Sequence, residues 1–89
     1  MVERRVTVVN AHGIHARPAA EIVKLAARFS SGIVLEKDGL EVNGKSIMGV
    51  LMLVASKGTT IVLRAKGDKA QEVVDAVAAL IDDKFGEGK

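Results

Sequence analysis

The dipeptide Asp38-Gly39 constrains the fold of this chain more than any other local feature. It separates two predicted strands, residues 33–37 and 40–42, and Asp-Gly between two strands is typical of a two-residue β-hairpin turn. A hairpin joins antiparallel strands. The sequence therefore predicts an antiparallel sheet, at least at this strand pair.

Hydrophobic periodicity predicts the remaining elements. Residues 2–9 and 59–65 alternate in the manner of strands, whereas other stretches repeat apolar residues at helical spacing. Two predicted helices span residues 16–29 and 47–55. A third helix is predicted to begin at residues 67–68, with Asp68 as N-cap and Gln71 as its capping-box partner. Residues 86–89 are expected to fray. The order β-α-β-β-α-β-α predicts an α+β fold with helices on one face of a four-stranded sheet.

Composition limits what can stabilise this fold. The length of 89 residues predicts one domain over residues 1–89. Hydrophobic residues make up 48% of the chain, but only two aromatic residues occur, both Phe, so the core should be aliphatic. The absence of cysteine excludes a disulfide scaffold and cysteine-ligated metal sites.

Charge and hydropathy narrow the class of protein. The N-terminus lacks the apolar segment of a signal peptide, and the apolar run 47–55 is too short to span a bilayer, so we expect a soluble cytoplasmic protein. A net charge of +2 is small for a dedicated nucleic-acid binder. A small basic nucleic-acid-binding domain is one alternative, but neither Phe29 nor Phe85 falls in a predicted strand, where an aromatic side chain could stack on bases.

The stretch 13–20 joins the first strand to the first helix and holds the candidate site. Pro18, the only proline, fits the first turn of a helix, which places His15 at or just before the helix N-terminus. The amides of Ala16 and Arg17 then point toward the imidazole, at a helix end that favours anions. The Arg17 guanidinium suits phosphate oxygens. This pattern indicates a nucleophilic histidine that could hold a phosphoryl group, with a simple polar cap as the alternative.

A second candidate site begins at Ser46. Serine is a favourable N-cap, and the predicted helix that follows is apolar nearly all round. Such a helix can bury only part of its surface, and exposed apolar patches often mark partner sites. The candidate docking residues, whose alternative role is in the core, are Ile47, Met48, Leu51 and Met52.

These motifs resemble those of HPr, the histidine phosphocarrier family of the bacterial sugar phosphotransferase system. The resemblance rests on GIHARPA at 13–19 and KSIMGV at 45–50, at the family spacing, and covers essentially the whole chain. It implies an open-faced β-sandwich in which three helices cover one face of a four-stranded antiparallel sheet. It also implies a phosphoryl carrier rather than an enzyme, and a monomer.

The resemblance assigns roles to single residues. It implies that His15, through Nδ1 in family members, accepts a phosphoryl group from phosphorylated Enzyme I and donates it to IIA domains of sugar permeases. Arg17 would stabilise the phosphoryl group. Ser46 would be phosphorylated by HPr kinase/phosphorylase, as in low-GC Gram-positive bacteria, with a catabolite-control transcription factor as a further partner. Alternatives are a nitrogen- or fructose-branch paralogue and a regulatory relative that acts through the Ser46 face.

His12 adds a second imidazole to the loop. Two histidines without a nearby carboxylate or thiol make a weak ligand set, so neither a metal nor another cofactor is expected. His12 could instead tune the titration of His15, contact phosphate or face solvent, and the sequence leaves these open.

Overall fold

The computed structural model describes residues 1–87, which form a four-stranded antiparallel sheet with three helices against one face. The strands are β1 (Val2–Thr7), β2 (Ile33–Lys37), β3 (Leu40–Asn43) and β4 (Thr60–Ala65). The helices are α1 (Ala16–Ala26), α2 (Ile47–Met52) and α3 (Ala70–Asp82), and a 3-10 turn, Lys84–Gly86, follows α3. The strand order is β1-β4-β2-β3, with every pairing antiparallel. The predicted fold class is confirmed.

The sheet buries only the face that the helices cover. Along β4, the side chains of Ile61, Leu63 and Ala65 are buried and alternate with more exposed ones, because successive strand residues point to opposite faces. Leu63 lies opposite Leu35 of β2, at the centre of the sheet. The alternation predicted for this strand is therefore confirmed.

The β2–β3 hairpin forms at the predicted dipeptide. Asp38 and Gly39 have φ values of 50° and 87°, and Lys37 pairs with Leu40 on either side of the turn. Two successive residues with positive φ are the signature of the type I′ turn, whose twist matches that of the flanking strands.

The core is aliphatic, as composition predicts, with one aromatic addition, Phe85. Helix α3 lies across β1 and β4 and presents its apolar stripe to them. The largest side chains of the core include Ile22, Ile33, Leu35, Leu53, Ile61, Leu63 and Ile81. Within residues 1–87 no helix is both long and apolar enough to cross a membrane.

Two helices end earlier than the sequence predicts. Helix α1 ends at Ala26, and the backbone tightens afterwards, since the Phe29 amide donates to the Ala26 carbonyl at 3.1 Å in an i to i−3 pattern. Helix α2 ends at Met52, and Val54 two residues later has a φ of 49°, which an α-helix cannot contain.

The predicted cap of α3 is wrong. The N-cap is Lys69 rather than Asp68, and the side chain of Gln71 donates to Asp75 at 2.9 Å instead of closing a capping box. The Lys69 amide donates to the hydroxyl of Ser31, 38 positions earlier in the chain, at 3.1 Å. A residue from another part of the fold thus accepts a hydrogen bond at the start of α3, where the local sequence predicted a cap by Asp68.

Candidate functional site

The loop between β1 and α1 is held in place by the segment that follows α2. The Ile14 amide donates to the Ala55 carbonyl at 2.8 Å, and the Val8 amide donates to the Thr59 carbonyl at 2.9 Å. Gly13 has a φ of 66° and lies so close to this segment that a Cβ atom would overlap the Ala55 carbonyl oxygen. The loop that bears the candidate site is therefore held at both of its ends by the same segment.

His15 is the N-cap of α1, as the sequence predicts. Its backbone is extended, with φ −95° and ψ −166°, and its carbonyl accepts the Ala19 amide at 3.0 Å. Its side chain makes no capping hydrogen bond and is 44% exposed, so the imidazole is available to other groups. Within residues 1–87 the amides of Ala16 and Arg17 have no hydrogen-bond partner, which leaves two donors open at this helix end.

Sequence reasoning missed a residue of the site, Glu87. Residues 86–89 were expected to fray, but the Glu87 side chain is only 11% exposed. Its Oε2 atom lies 3.0 Å from Nε2 of His15 and 2.9 Å from Nη2 of Arg17, and its Oε1 atom accepts a hydrogen bond from Asn10 at 2.8 Å. The expectation is wrong for Glu87, while Gly88 and Lys89 lie outside the described residues.

The 3-10 turn after α3 carries Glu87 to the site. Lys84, Phe85 and Gly86 all have positive φ, between 54° and 74°, and these turns direct the chain toward the end of α1. Phe85 is buried and anchors the turn. The one sequence signal for this arrangement is Phe85 itself, since a large apolar residue near a chain end favours a packed segment over a frayed one.

The carboxylate of Glu87 is strongly stabilised in its charged form. The hydrogen bond from Asn10 lowers the pKa of Glu87 to about 2, with help from Arg17 and His15 and against burial, which raises it. An ionised carboxylate can only accept hydrogen bonds, so Nε2 of His15 must be the donor. In the neutral imidazole, Nδ1 then carries the lone pair.

Arg17 lies beside His15 and is linked to it by the same carboxylate oxygen. Its Nη1 atom donates to Glu21 at 3.1 Å, and its Nη2 atom donates to Glu87 and, at 3.4 Å, to the Phe85 carbonyl. The predicted proximity of the guanidinium and the imidazole is thus present, through an acidic residue that the sequence did not reveal.

His12 stands next to the site at its exposed side. The centroids of the His12 and His15 rings are 6.2 Å apart, and the rings are nearly perpendicular at 87°. In the part of the chain that the structure describes, no three histidine, cysteine or acidic side chains gather as a possible metal site.

Ser46 is the N-cap of α2, and its hydroxyl accepts the Gly49 amide at 3.1 Å, which confirms the predicted structural role. Of the apolar side chains on the short helix, Met48 is 71% exposed, and Ile47 and Met52 are also exposed. Leu51 is half-buried against the core. Part of this apolar surface therefore remains open to solvent, and its use in docking stays a prediction.

The fold and the site together define the class of protein: it is a small α+β sandwich that presents a histidine at an exposed helix N-terminus, beside an arginine. Residues 2–83 match the family model described as the PTS HPr component phosphorylation site. The phosphocarrier protein HPr of Cupriavidus necator is 44% identical over 89 residues, covering 100% of both chains. This chain belongs to the HPr family of phosphocarrier proteins of the phosphotransferase system, which are carriers rather than catalysts.

Solved structures agree with this assignment. HPr from Thermoanaerobacter tengcongensis matches with a TM-score of 0.93 and 47% identity, covering 98% of each chain. The open-faced arrangement expected from the family is therefore confirmed. Crh of Bacillus subtilis, a catabolite repression protein whose crystal structure is a domain-swapped dimer, matches with a TM-score of 0.75 and 45% identity, covering 94% of this chain and 97% of that one.

Proposed function

We propose that His15 accepts a phosphoryl group from phosphorylated Enzyme I and passes it to IIA domains of sugar permeases. The observation that carries the proposal is the exposed imidazole at the N-terminus of α1, beside the open amides of Ala16 and Arg17. Since Glu87 accepts from Nε2, the lone pair on Nδ1 is the nucleophile.

Transfer on this site needs positioning and charge stabilisation more than covalent machinery. A bond forms between Nδ1 of His15 and phosphorus as the bond between phosphorus and the donor breaks. The amides of Ala16 and Arg17 and the Arg17 guanidinium hold the phosphoryl oxygens. A carrier must hold them loosely, because a strongly stabilised phosphohistidine would be a poor donor.

The direct test is the intact mass of the chain after incubation with phosphoenolpyruvate and catalytic Enzyme I. The proposal expects a gain of one phosphoryl group that is labile in acid and stable in base. No gain with an Enzyme I that phosphorylates another HPr protein in parallel would overturn it.

Replacing Arg17 with alanine is expected to slow acceptance and donation by about tenfold, because the phosphoryl oxygens lose a charge-assisted hydrogen bond in the transition state. The side chain is half-exposed, so the fold should remain intact. Quench-flow transfer assays would measure both rates, and circular dichroism would verify folding. Arg28→Ala removes the same charge just beyond the other end of α1 and is the control. Equal rates for the Arg17→Ala variant and the wild type would remove the role of Arg17.

Ser46 is the proposed regulatory phosphorylation site, with HPr kinase/phosphorylase as the enzyme. Its hydroxyl caps α2, and a phosphate there suits a helix N-terminus while adding negative charge beside the exposed apolar surface. The similarity to Crh favours a second role in catabolite regulation, through a transcription factor that contacts this face. Since His15 is present, this role adds to phosphoryl transfer and does not replace it.

Ser46→Asp is expected to keep the stability of the protein and to weaken phosphoryl acceptance from Enzyme I several-fold. Aspartate is as good an N-cap as serine, so only the charge at this surface changes materially. Ser46→Asn is the matched control, because asparagine has the shape of aspartate and also caps well but is neutral. Acceptance kinetics at low ionic strength would measure the effect, and equal slowing by both variants would show that charge is not its cause.

The partner surface proposed here consists of Ile47, Met48, Leu51 and Met52. Adaptable methionine side chains on an open apolar patch suit a carrier that must meet several partners. Such a carrier would act as a single cytoplasmic domain and as a monomer, although the Crh relative forms a dimer.

A further inference from the structure

We propose that Glu87 is a positioning residue for phosphoryl transfer: its carboxylate holds His15 through Nε2–H and presents Nδ1 to the incoming phosphoryl group. The distance of 3.0 Å between Oε2 and Nε2 carries this inference, together with the 2.9 Å contact from Oε2 to Arg17. The proposal rests on the carrier function of His15.

The position of the carboxylate is set by the loop that bears His15. Asn10 is completely buried, and its amide group donates both to Glu87 and to the Gly13 carbonyl, each at 2.8 Å. With two acceptors, the Asn10 side chain can adopt only one orientation. Phe85, buried two residues before Glu87, holds the chain from the other side. The carboxylate is therefore a fixed part of the site.

The charge balance of the reaction gives the carboxylate a role in both directions. When Nδ1 of His15 attacks phosphorus, the bond to the donor breaks and the ring becomes positive, with its proton kept on Nε2. The Glu87 carboxylate stabilises that positive ring, much as the acidic member of a catalytic triad stabilises its imidazolium. On donation, a ring that is still protonated at Nε2 leaves phosphorus as neutral imidazole, so the phosphoryl group remains transferable.

A negative group near a phosphoryl site would by itself repel the phosphate. Here Oε2 of Glu87 also accepts a hydrogen bond from Nη2 of Arg17, so the guanidinium offsets the charge of the carboxylate. One anion thus places both the nucleophile and the cation, and the remaining surface of the guanidinium stays available, since the Arg17 side chain is half-exposed.

The test compares the wild type with Glu87→Gln and Glu87→Asp. Glutamine is neutral and can either donate or accept at Nε2, so we expect acceptance from phosphorylated Enzyme I to slow about tenfold. Aspartate keeps the charge and should recover part of the rate. Glu41→Gln is the control, because Glu41 pairs with Arg64 on the face of the sheet that the helices leave open.

Nitrogen-15 NMR of the imidazole gives a readout that needs no partner protein. Above the titration range of the ring, the wild type should show a single Nε2–H tautomer, and Glu87→Gln should show a mixture. A wild-type ring protonated at Nδ1, or a Glu87→Gln variant with the wild-type acceptance rate, would overturn the inference. If the wild type accepted no phosphoryl group, the carrier function would fail, while the tautomer would still decide whether Glu87 positions the ring.

The dependence of Tm on pH tests whether Glu87 contributes to stability through its charge or through packing alone. The pKa of Glu87 lies at about 2 instead of the ordinary 4.5, so its ionised form stabilises the fold above pH 4.5, and this contribution is lost as the pH falls toward 2. Between about pH 5 and about pH 3 the Tm of the wild type should therefore fall more than that of Glu87→Gln. Parallel curves would mean that the carboxylate is not held as a charged group, and would overturn the inference.

Discussion

Substituting His15 with alanine is expected to abolish the phosphoryl gain proposed for the wild type in the presence of phosphoenolpyruvate and Enzyme I. Alanine has no nucleophilic nitrogen, so the proposed acceptor at the N-terminus of α1 is removed. The N-cap side chain makes no capping hydrogen bond, so the loss of the imidazole should leave the helix in place. Intact mass after a fixed incubation measures the result.

His12→Ala is the control for this experiment. The two imidazoles lie on the same loop with their ring centroids 6.2 Å apart, so the pair distinguishes a specific acceptor from any exposed histidine. The His12 variant should still gain one phosphoryl group per chain. A gain retained in His15→Ala and lost in His12→Ala would move the site to His12, and a gain retained in both would place it on another residue.

Gly13→Ala is expected to lower the free energy of unfolding by about 3 kcal/mol, the sum of a left-handed backbone and a steric overlap. Gly13 has a φ of 66°, and an added Cβ would overlap the carbonyl oxygen of Ala55 and lie 2.9 Å from Cα of Ser56. Both neighbours are backbone atoms, so the clash can be relieved only by shifting the loop away. That shift would break the hydrogen bond from Ile14 to Ala55. Urea unfolding monitored by circular dichroism would measure the loss.

Gly39→Ala separates the two causes. Gly39 has a φ of 87°, but a Cβ there would have no atom within 4 Å, so this variant bears only the backbone cost of about 1 kcal/mol. If Gly13→Ala cost no more than Gly39→Ala, the close approach of the loop to Ala55 would not constrain the site. Phosphoryl acceptance should also fall in Gly13→Ala and not in Gly39→Ala, because only the former displaces His15.

Local sequence determined the type and order of the main elements and the position of the candidate histidine. Asp38-Gly39 specified a type I′ turn because few residue pairs tolerate two positive φ values. Pro18 located the start of α1 and so placed His15 at its N-terminus, since proline fits only the first turn of a helix. Ser46 identified the start of α2 through its hydroxyl. Each of these features depends on a residue and its near neighbours, so each can be predicted from a short window of sequence.

Only the tertiary structure decided which distant groups meet. Glu87 contacts His15 across 72 positions, and Ser31 caps α3 across 38, where the sequence indicated a frayed end and an Asp68 cap. The overlap that fixes Gly13 likewise depends on Ala55. A hydrogen bond needs only a donor and an acceptor at the right distance, and many residues of a chain could supply either. Packing of the core determines which donors and acceptors meet, because it sets which backbone segments lie side by side. The sequence alone thus indicated His15 as the proposed nucleophile, whereas only the fold placed the Glu87 carboxylate beside it.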